Sequence, residues 1–131
     1  MANILFICKW NRFRSKMAEA IFNKLNKNKK HQAKSAGIIS GFPIDKELFE
    51  VCKKSGYPIS KKVQEINYPL IKWCNQIIII EENIPLNLFR NINYKRNLKK
   101  WKIKDVFQDK QRPLVIKQIK RKVKTLIKNL N

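Results

Sequence analysis

With 131 residues and 44% hydrophobic content, the chain is long enough to bury one core and too apolar to stay disordered, which predicts a single domain over residues 1–131. No apolar run approaches the ~20 residues that cross a bilayer, and no basic stretch precedes a long apolar one, so the expectation is a cytoplasmic chain without a membrane partner. The net charge of +21, from 30 Lys and Arg against 9 Asp and Glu, is spread through nearly every segment; this fits solvated faces in a Lys-, Asn- and Ile-rich composition, with a nucleic-acid partner as the rival reading.

Asn3–Ile7 is a continuous apolar run, as expected for a central strand covered on both faces. A helix follows from about Ser15 to Lys27, with Met17, Ile21 and Leu25 on one side; Ser15 is placed to cap it, and Glu19 lies near its positive end. Gln32–Ser35 predicts a short strand ending in Gly37. Gly41 to Asp45 reads as a loop into a helix over Asp45–Ser55, broken by Gly56-Tyr57-Pro58. Lys61–Ile66 is irregular or a short edge segment, and Tyr68–Trp73 a short helix. Ile77–Ile80 is β-branched throughout and predicts a second buried strand.

Between Glu81 and Arg96 the pattern supports only a helical turn near Leu86–Arg90. Lys102–Lys104 reads as a last short strand. From Pro113 to Asn129 a basic amphipathic helix carries Leu114, Ile116, Ile119, Val123, Leu126 and Ile127, and its apolar stripe is expected to pack on the sheet. The alternation of runs and helices predicts an α/β fold with a parallel sheet. No repeat, linker or low-complexity tail interrupts it.

Three cysteines, Cys8, Cys52 and Cys74, form no disulfide framework, and the single histidine, His31, joins no metal-spaced cluster. Cys8 stands apart because of its setting. Cys8-Lys9-Trp10-Asn11-Arg12-Phe13-Arg14-Ser15 connects the first strand to the first helix. Such a loop offers unpaired backbone N–H groups and the positive end of a helix dipole, a setting suited to phosphate. The same field, with Arg14 close by, favours Cys8 as a thiolate, a nucleophile aimed at the phosphorus of a bound ester.

With these elements placed, the chain resembles the low-molecular-weight protein tyrosine phosphatases and their relatives, the arsenate reductases of the same fold. The likeness is carried by Ile4-Leu5-Phe6-Ile7-Cys8, Asn11, Arg14-Ser15 and Met17-Ala18-Glu19-Ala20. It continues through Ser35-Ala36-Gly37, Pro43 and Asp45, Ile77–Ile80 and Trp101 to Asp105. The resemblance implies a four-stranded parallel sheet flanked by helices on both faces, the phosphotyrosine protein phosphatase I-like architecture, and hydrolysis through a phosphocysteine.

On that resemblance Cys8 attacks phosphorus. Arg14 and the backbone N–H groups of Lys9, Trp10, Asn11, Arg12, Phe13 and Ser15 hold the phosphoryl oxygens. The Ser15 hydroxyl supports the thiolate. Asn11 holds the loop shape, with a positive φ that Asn tolerates and Ser35 as hydrogen-bond partner. Asp105 protonates the departing oxygen and then activates water. No cofactor or metal is implied; the implied partners are a phosphorylated protein or small phosphomonoester, with inorganic phosphate or another oxyanion as product or inhibitor.

Several positions depart from the family pattern. Asp105 is followed by Val106 where relatives have proline, and Asp109 is the alternative acid. Trp10 stands where a glycine is common, and Lys16 where phosphatases often have proline. Lys9 and Arg12 make the rim more cationic. Phe13 takes the place of a second loop cysteine, which predicts no redox switch within the loop. Phe42 and Phe107 complete the expected rim.

Arsenate reduction is the nearest rival. A thioredoxin-linked version needs resolving cysteines near Cys8, whereas Cys74 precedes Ile77–Ile80 and Cys52 falls in a helix; a version relying on an external thiol needs only Cys8 and Arg14. A phosphocysteine carrier, which has no need of Arg14 or Asp105, and a non-catalytic phosphate or nucleic-acid binder are the further alternatives.

Overall fold

The computed structural model describes residues 1–39, 41–81, 83–84, 89, 97–106 and 108–130. Four strands form one parallel sheet in the order β2-β1-β3-β4: β1 Asn3–Cys8, β2 Gln32–Gly37, β3 Gln76–Ile79 and β4 Asn97–Lys100. The helices among the described residues are α1 Arg14–Leu25, α2 Lys46–Lys54, α3 Tyr68–Trp73 and α4 Arg112–Leu130, the last preceded by a 3-10 turn over Asp109–Gln111. None is long and apolar enough to cross a membrane.

Side chains of a strand alternate between faces, so an unbroken apolar run must be covered on both. In β1, Ile4 and Phe6 enter a core with Met17, Ile21 and Phe22 of α1, Leu48 and Cys52 of α2, and Ile119 and Val123 of α4. Leu5 and Ile7 face the other way, into a core with Ala36, Leu70, Cys74, Ile77 and Ile79. All four are fully buried.

Because the strands are parallel, their C-terminal ends lie on one edge. Cys8 pairs with Gly37, and Ile7 with Ile79, so the residues leaving β1, β2 and β3 emerge together. Chain order reverses between β1 and β3, and ligands of open α/β sheets bind in the crevice at such a switch point. The Cys8 loop opens onto it.

Three expectations are corrected. The last strand is Asn97–Lys100 and not Lys102–Lys104. Among the described residues it is an edge strand paired with β3, so its polar residues can remain in solvent and leave little apolar signal. Beyond it Trp101 and Ile103 turn into the core. Ser15 does not cap α1: the cap position is Phe13, without a side-chain bond, and Ser15 lies inside the helix. Leu114 is 62% exposed, and Val115 takes its place on the buried stripe of α4.

Within 61–66, one bridge joins Glu65 to Gly37. The turn expected near Leu86–Arg90 lies outside the described residues except at Phe89, and Phe107 lies outside them as well.

Candidate active site

Between β1 and α1 the chain reverses around Asn11, whose φ of +54° is one that Asn adopts more readily than most residues. The loop is held to the segment after β2: Ile38 N–H donates to the Cys8 carbonyl at 3.1 Å and Ile39 N–H to that of Lys9 at 3.0 Å. Gly37 permits this approach. A Cβ there would lie 2.8 Å from both the Asn11 nitrogen and the Trp10 carbonyl carbon.

The Asn11 amide is fully engaged. Its Nδ2 donates to Ser15 Oγ at 2.8 Å and to Ser35 Oγ at 3.0 Å, while Oδ1 accepts from the Gln64 N–H at 3.0 Å. An amide has two N–H hydrogens, and both serines receive one, so each is free to donate its own hydroxyl hydrogen outward. Ser35 donates to Glu19 Oε1 at 2.6 Å. Ser15 then donates to Cys8 Sγ, 3.0 Å away, an arrangement that supports a thiolate. Five side chains form one continuous chain, with donation running outward from Asn11 to Cys8 at one end and to Glu19 at the other.

At the far end, burial raises the Glu19 pKa, opposed by the Ser35 hydrogen bond and by Lys16 and Lys34. Lys16 is lowered, first by burial and then by Lys62, against the attraction of Glu19 and Cys8; its ammonium donates to Ser60 at 2.8 Å. Folded Glu19 therefore holds its proton to higher pH than the unfolded chain does. Its contribution to stability is full below the unfolded pKa and is lost as pH rises through the folded value. Glu19→Gln keeps an acceptor for Ser35 and removes that loss. The variant is expected to gain stability relative to the parent as pH rises above the ordinary glutamate range, read by urea unfolding at a series of pH values.

Arg14 is 2% exposed. Its Nη2 donates to Glu81 Oε2 at 2.7 Å and its Nη1 to the Ile103 carbonyl at 3.0 Å, and Nη2 lies 3.7 Å from Asp105 Oδ2. The guanidinium is thus clamped by the residues leaving β3 and β4. Asp105 is partly exposed, accepts the Val106 N–H at 3.0 Å, and lines the same pocket as Cys8 and Arg14. The backbone of Asp109 sits in the 3-10 turn.

Trp10, Arg12, Phe13, Leu48, Val106 and Arg112 form the rest of the pocket wall. Arg12 is fastened at the rim, its Nε to the Pro43 carbonyl and its Nη2 to Asp45, both at 3.1 Å. Asp45 also caps α2, accepting the Leu48 N–H at 2.7 Å. Trp10 meets Phe42 edge to face with centroids 4.9 Å apart, and the Lys9 ammonium lies 5.0 Å from the Trp10 ring.

Neither of the other cysteines lines this pocket. Burial pushes the Cys52 thiol up to about 12 against the opposing charge of Arg112. Cys74 is buried ahead of β3, at the sheet edge where β1 begins, about 16 Å from Cys8 at the usual strand rise.

Sequence reading brought Cys8, Arg14, Asp105, Asn11, Ser15 and Ser35 to this site. It did not find Glu81, Gln64 or Arg112, and it assigned Glu19 only a dipole role. Glu81 left a legible trace, as a carboxylate directly after a run of four isoleucines. Gln64 and Arg112 left none that distinguishes them from neighbouring polar residues.

The family model for low molecular weight phosphotyrosine protein phosphatase matches residues 3–131. Among solved structures, the YwlE arginine phosphatase from Geobacillus stearothermophilus superposes with a TM-score of 0.84 at 19% identity, covering 99% of this chain and 93% of that one. A low molecular weight protein tyrosine phosphatase from Streptococcus pyogenes gives 0.83 at 17% identity, with 100% and 94% covered. An arsenate reductase from Archaeoglobus fulgidus gives 0.75 at 23%, with 95% and 98% covered. At these identities the likeness speaks for the shared fold. No curated protein matches the sequence.

Proposed function

The chain belongs to the low molecular weight phosphotyrosine protein phosphatase family, and from that premise we propose that it hydrolyses phosphomonoesters, with protein phosphotyrosine as substrate, through a phosphocysteine on Cys8. The reading rests on one observation above the others: Cys8, buried Arg14 and Asp105 converge on one pocket at the sheet's switch point.

In the first step the Cys8 thiolate attacks phosphorus and the bond to the ester oxygen breaks. Asp105, as the acid, gives its proton to that oxygen, and the alcohol or phenol leaves. Arg14 and the loop N–H groups hold the three equatorial oxygens as their charge builds. In the second step Asp105, now a carboxylate, takes a proton from water as the water oxygen attacks phosphorus. The S–P bond breaks, the thiolate returns to the Ser15 hydroxyl, and inorganic phosphate departs. The aromatic pair Trp10 and Phe42 at the mouth favours an aryl leaving group. The three free thiols fit a reducing cytoplasm.

The test is turnover of p-nitrophenyl phosphate between about pH 5 and pH 7 by the parent and by Asp105→Asn. Loss of a general acid typically costs about 10²–10⁴-fold, and a fall in kcat of that size is expected. An unaltered rate in Asp105→Asn would move the acid to Asp109. No turnover by the parent would overturn the phosphatase reading and direct the next assays to arsenate reduction with an added thiol and then to binding alone.

A further inference from the structure

Val51, Tyr57 and Ile116 belong to the main core, and that core comes to the surface between the end of α2 and the first turns of α4. There, with Pro113, they floor a groove of about 490 Å³ whose sides carry Lys54, Lys117 and Lys120. No carboxylate lines the groove, and none pairs with these lysines among the described residues. Tyr57 is 7% exposed, with the ammonium groups of Lys24 and Lys120 at 5.1 and 5.3 Å from its ring centroid. Its hydroxyl has no hydrogen-bond partner among the described residues.

The groove adjoins the pocket of Cys8 along both helices. Leu48 and Arg112 line that pocket; Val51, one turn further along α2, and Pro113, next in the chain after Arg112, line the groove. One helical turn is ~5.4 Å, a distance that two extended residues span.

We propose that this groove docks the polypeptide of a phosphoprotein substrate, taking an aromatic or aliphatic side chain that stands among acidic residues a few positions from the phosphorylated one. The inference rests on the phosphatase reading, which puts the phosphoryl group at Cys8 and Arg14. The floor gains by burying the apolar anchor and the lysines by meeting carboxylates, while the Tyr57 hydroxyl is left for a peptide carbonyl. A net charge of +21 attracts any acidic chain, so the anchor supplies the specific part of the recognition.

Unphosphorylated peptides test the groove without turnover. Fluorescence anisotropy at about 150 mM salt would compare labelled Glu-Asp-Phe-Glu-Asp with the peptide of equal charge in which serine replaces phenylalanine. The parent is expected to bind the phenylalanine peptide roughly tenfold tighter, the effect of burying part of an aromatic side chain. Lys54→Glu with Lys117→Glu should weaken that peptide by about tenfold. Lys122→Glu with Lys124→Glu makes the same change of charge outside the groove and should cost at most about threefold. All four lysines are exposed, so the variants should fold as the parent does.

Equal affinities of the two peptides in the parent would overturn the proposal, as would equal losses in the two double variants. Tighter binding of dodecanoate than of the phenylalanine peptide would give the groove to an anionic lipid and overturn it as well. Phosphotyrosine peptides carrying the same segments on either side read the link to catalysis: the phenylalanine version should have the lower KM at unchanged kcat. No difference on either side would overturn the docking role. Turnover of p-nitrophenyl phosphate by the same preparations reads the chemistry separately, so an inactive parent that still prefers the phenylalanine peptide would be recognised as a failure of the phosphatase reading alone.

Discussion

Replacing Cys8 with serine is expected to bring p-nitrophenyl phosphate turnover to background, a fall of at least about 10⁴-fold in kcat, with the thermal midpoint little changed. The substitution exchanges one small buried side chain for another, and the partner of that side chain, Ser15 Oγ at 3.0 Å, is a hydroxyl that can bond oxygen as readily as sulfur. The loop shape depends on Asn11, Gly37 and the carbonyl bonds of Cys8 and Lys9, none of which the sulfur supplies. What is lost is the sulfur nucleophile of the proposed reaction. The hydrogen-bond chain ends in a hydroxyl that donates to position 8, and no base in that chain is placed to take a proton from a serine there. Inorganic phosphate should still bind, since Arg14 and the loop N–H groups remain. Residual turnover within about tenfold of the parent would show that another residue is the nucleophile.

The second large effect is expected at Glu81, a residue without a direct part in the chemistry proposed above. Its carboxylate meets Arg14 at 2.7 Å in a pair whose side chains are 2% and 10% exposed. Removing the nearer carboxylate leaves the buried Arg14 charge balanced only by the partly exposed Asp105, 3.7 Å away, a cost of about 3 kcal/mol, the lower end for a broken buried pair. Glu81→Ala should therefore lower the unfolding free energy by that amount and reduce kcat as well, because Arg14 loses the partner that orients it. The double replacement Arg14→Met with Glu81→Leu separates the two effects. It removes both charges together, so most of the stability should return, while turnover stays at background for want of the guanidinium. Stability from urea unfolding and kcat would be measured on the same preparations. If Glu81→Ala is as stable as the parent, the ion pair is not what holds Arg14. If the double variant turns over, Arg14 is not the phosphate clamp.

Both expectations rest on the same division between near and distant sequence. The β1 run, the Cys8 loop, the helix over Tyr68–Trp73 and the helix beginning near Asp45 were legible in the chain, because strand period, loop composition and helix breakers are settled among neighbours within a few positions. The positive φ at Asn11 is what the family resemblance implied, at a residue type that tolerates it. Ser15 shows where local reasoning fails. Its type and position suggest a cap, yet its hydroxyl is turned to Cys8, because a buried sulfur and the Asn11 amide make a better-enclosed set of partners than a helix end.

That a cysteine, an arginine and a serine sit between a buried strand and a helix in a parallel α/β chain could be read from neighbouring residues. What holds them depends on residues far away in the chain. Arg14 meets Glu81 across 67 positions and the Ile103 carbonyl across 89, and Asn11 meets Gln64 across 53. Those meetings exist because a parallel sheet gathers the ends of all its strands on one edge. A polar side chain buried there must find its partners among whatever residues the other strands deliver, wherever those stand in the chain.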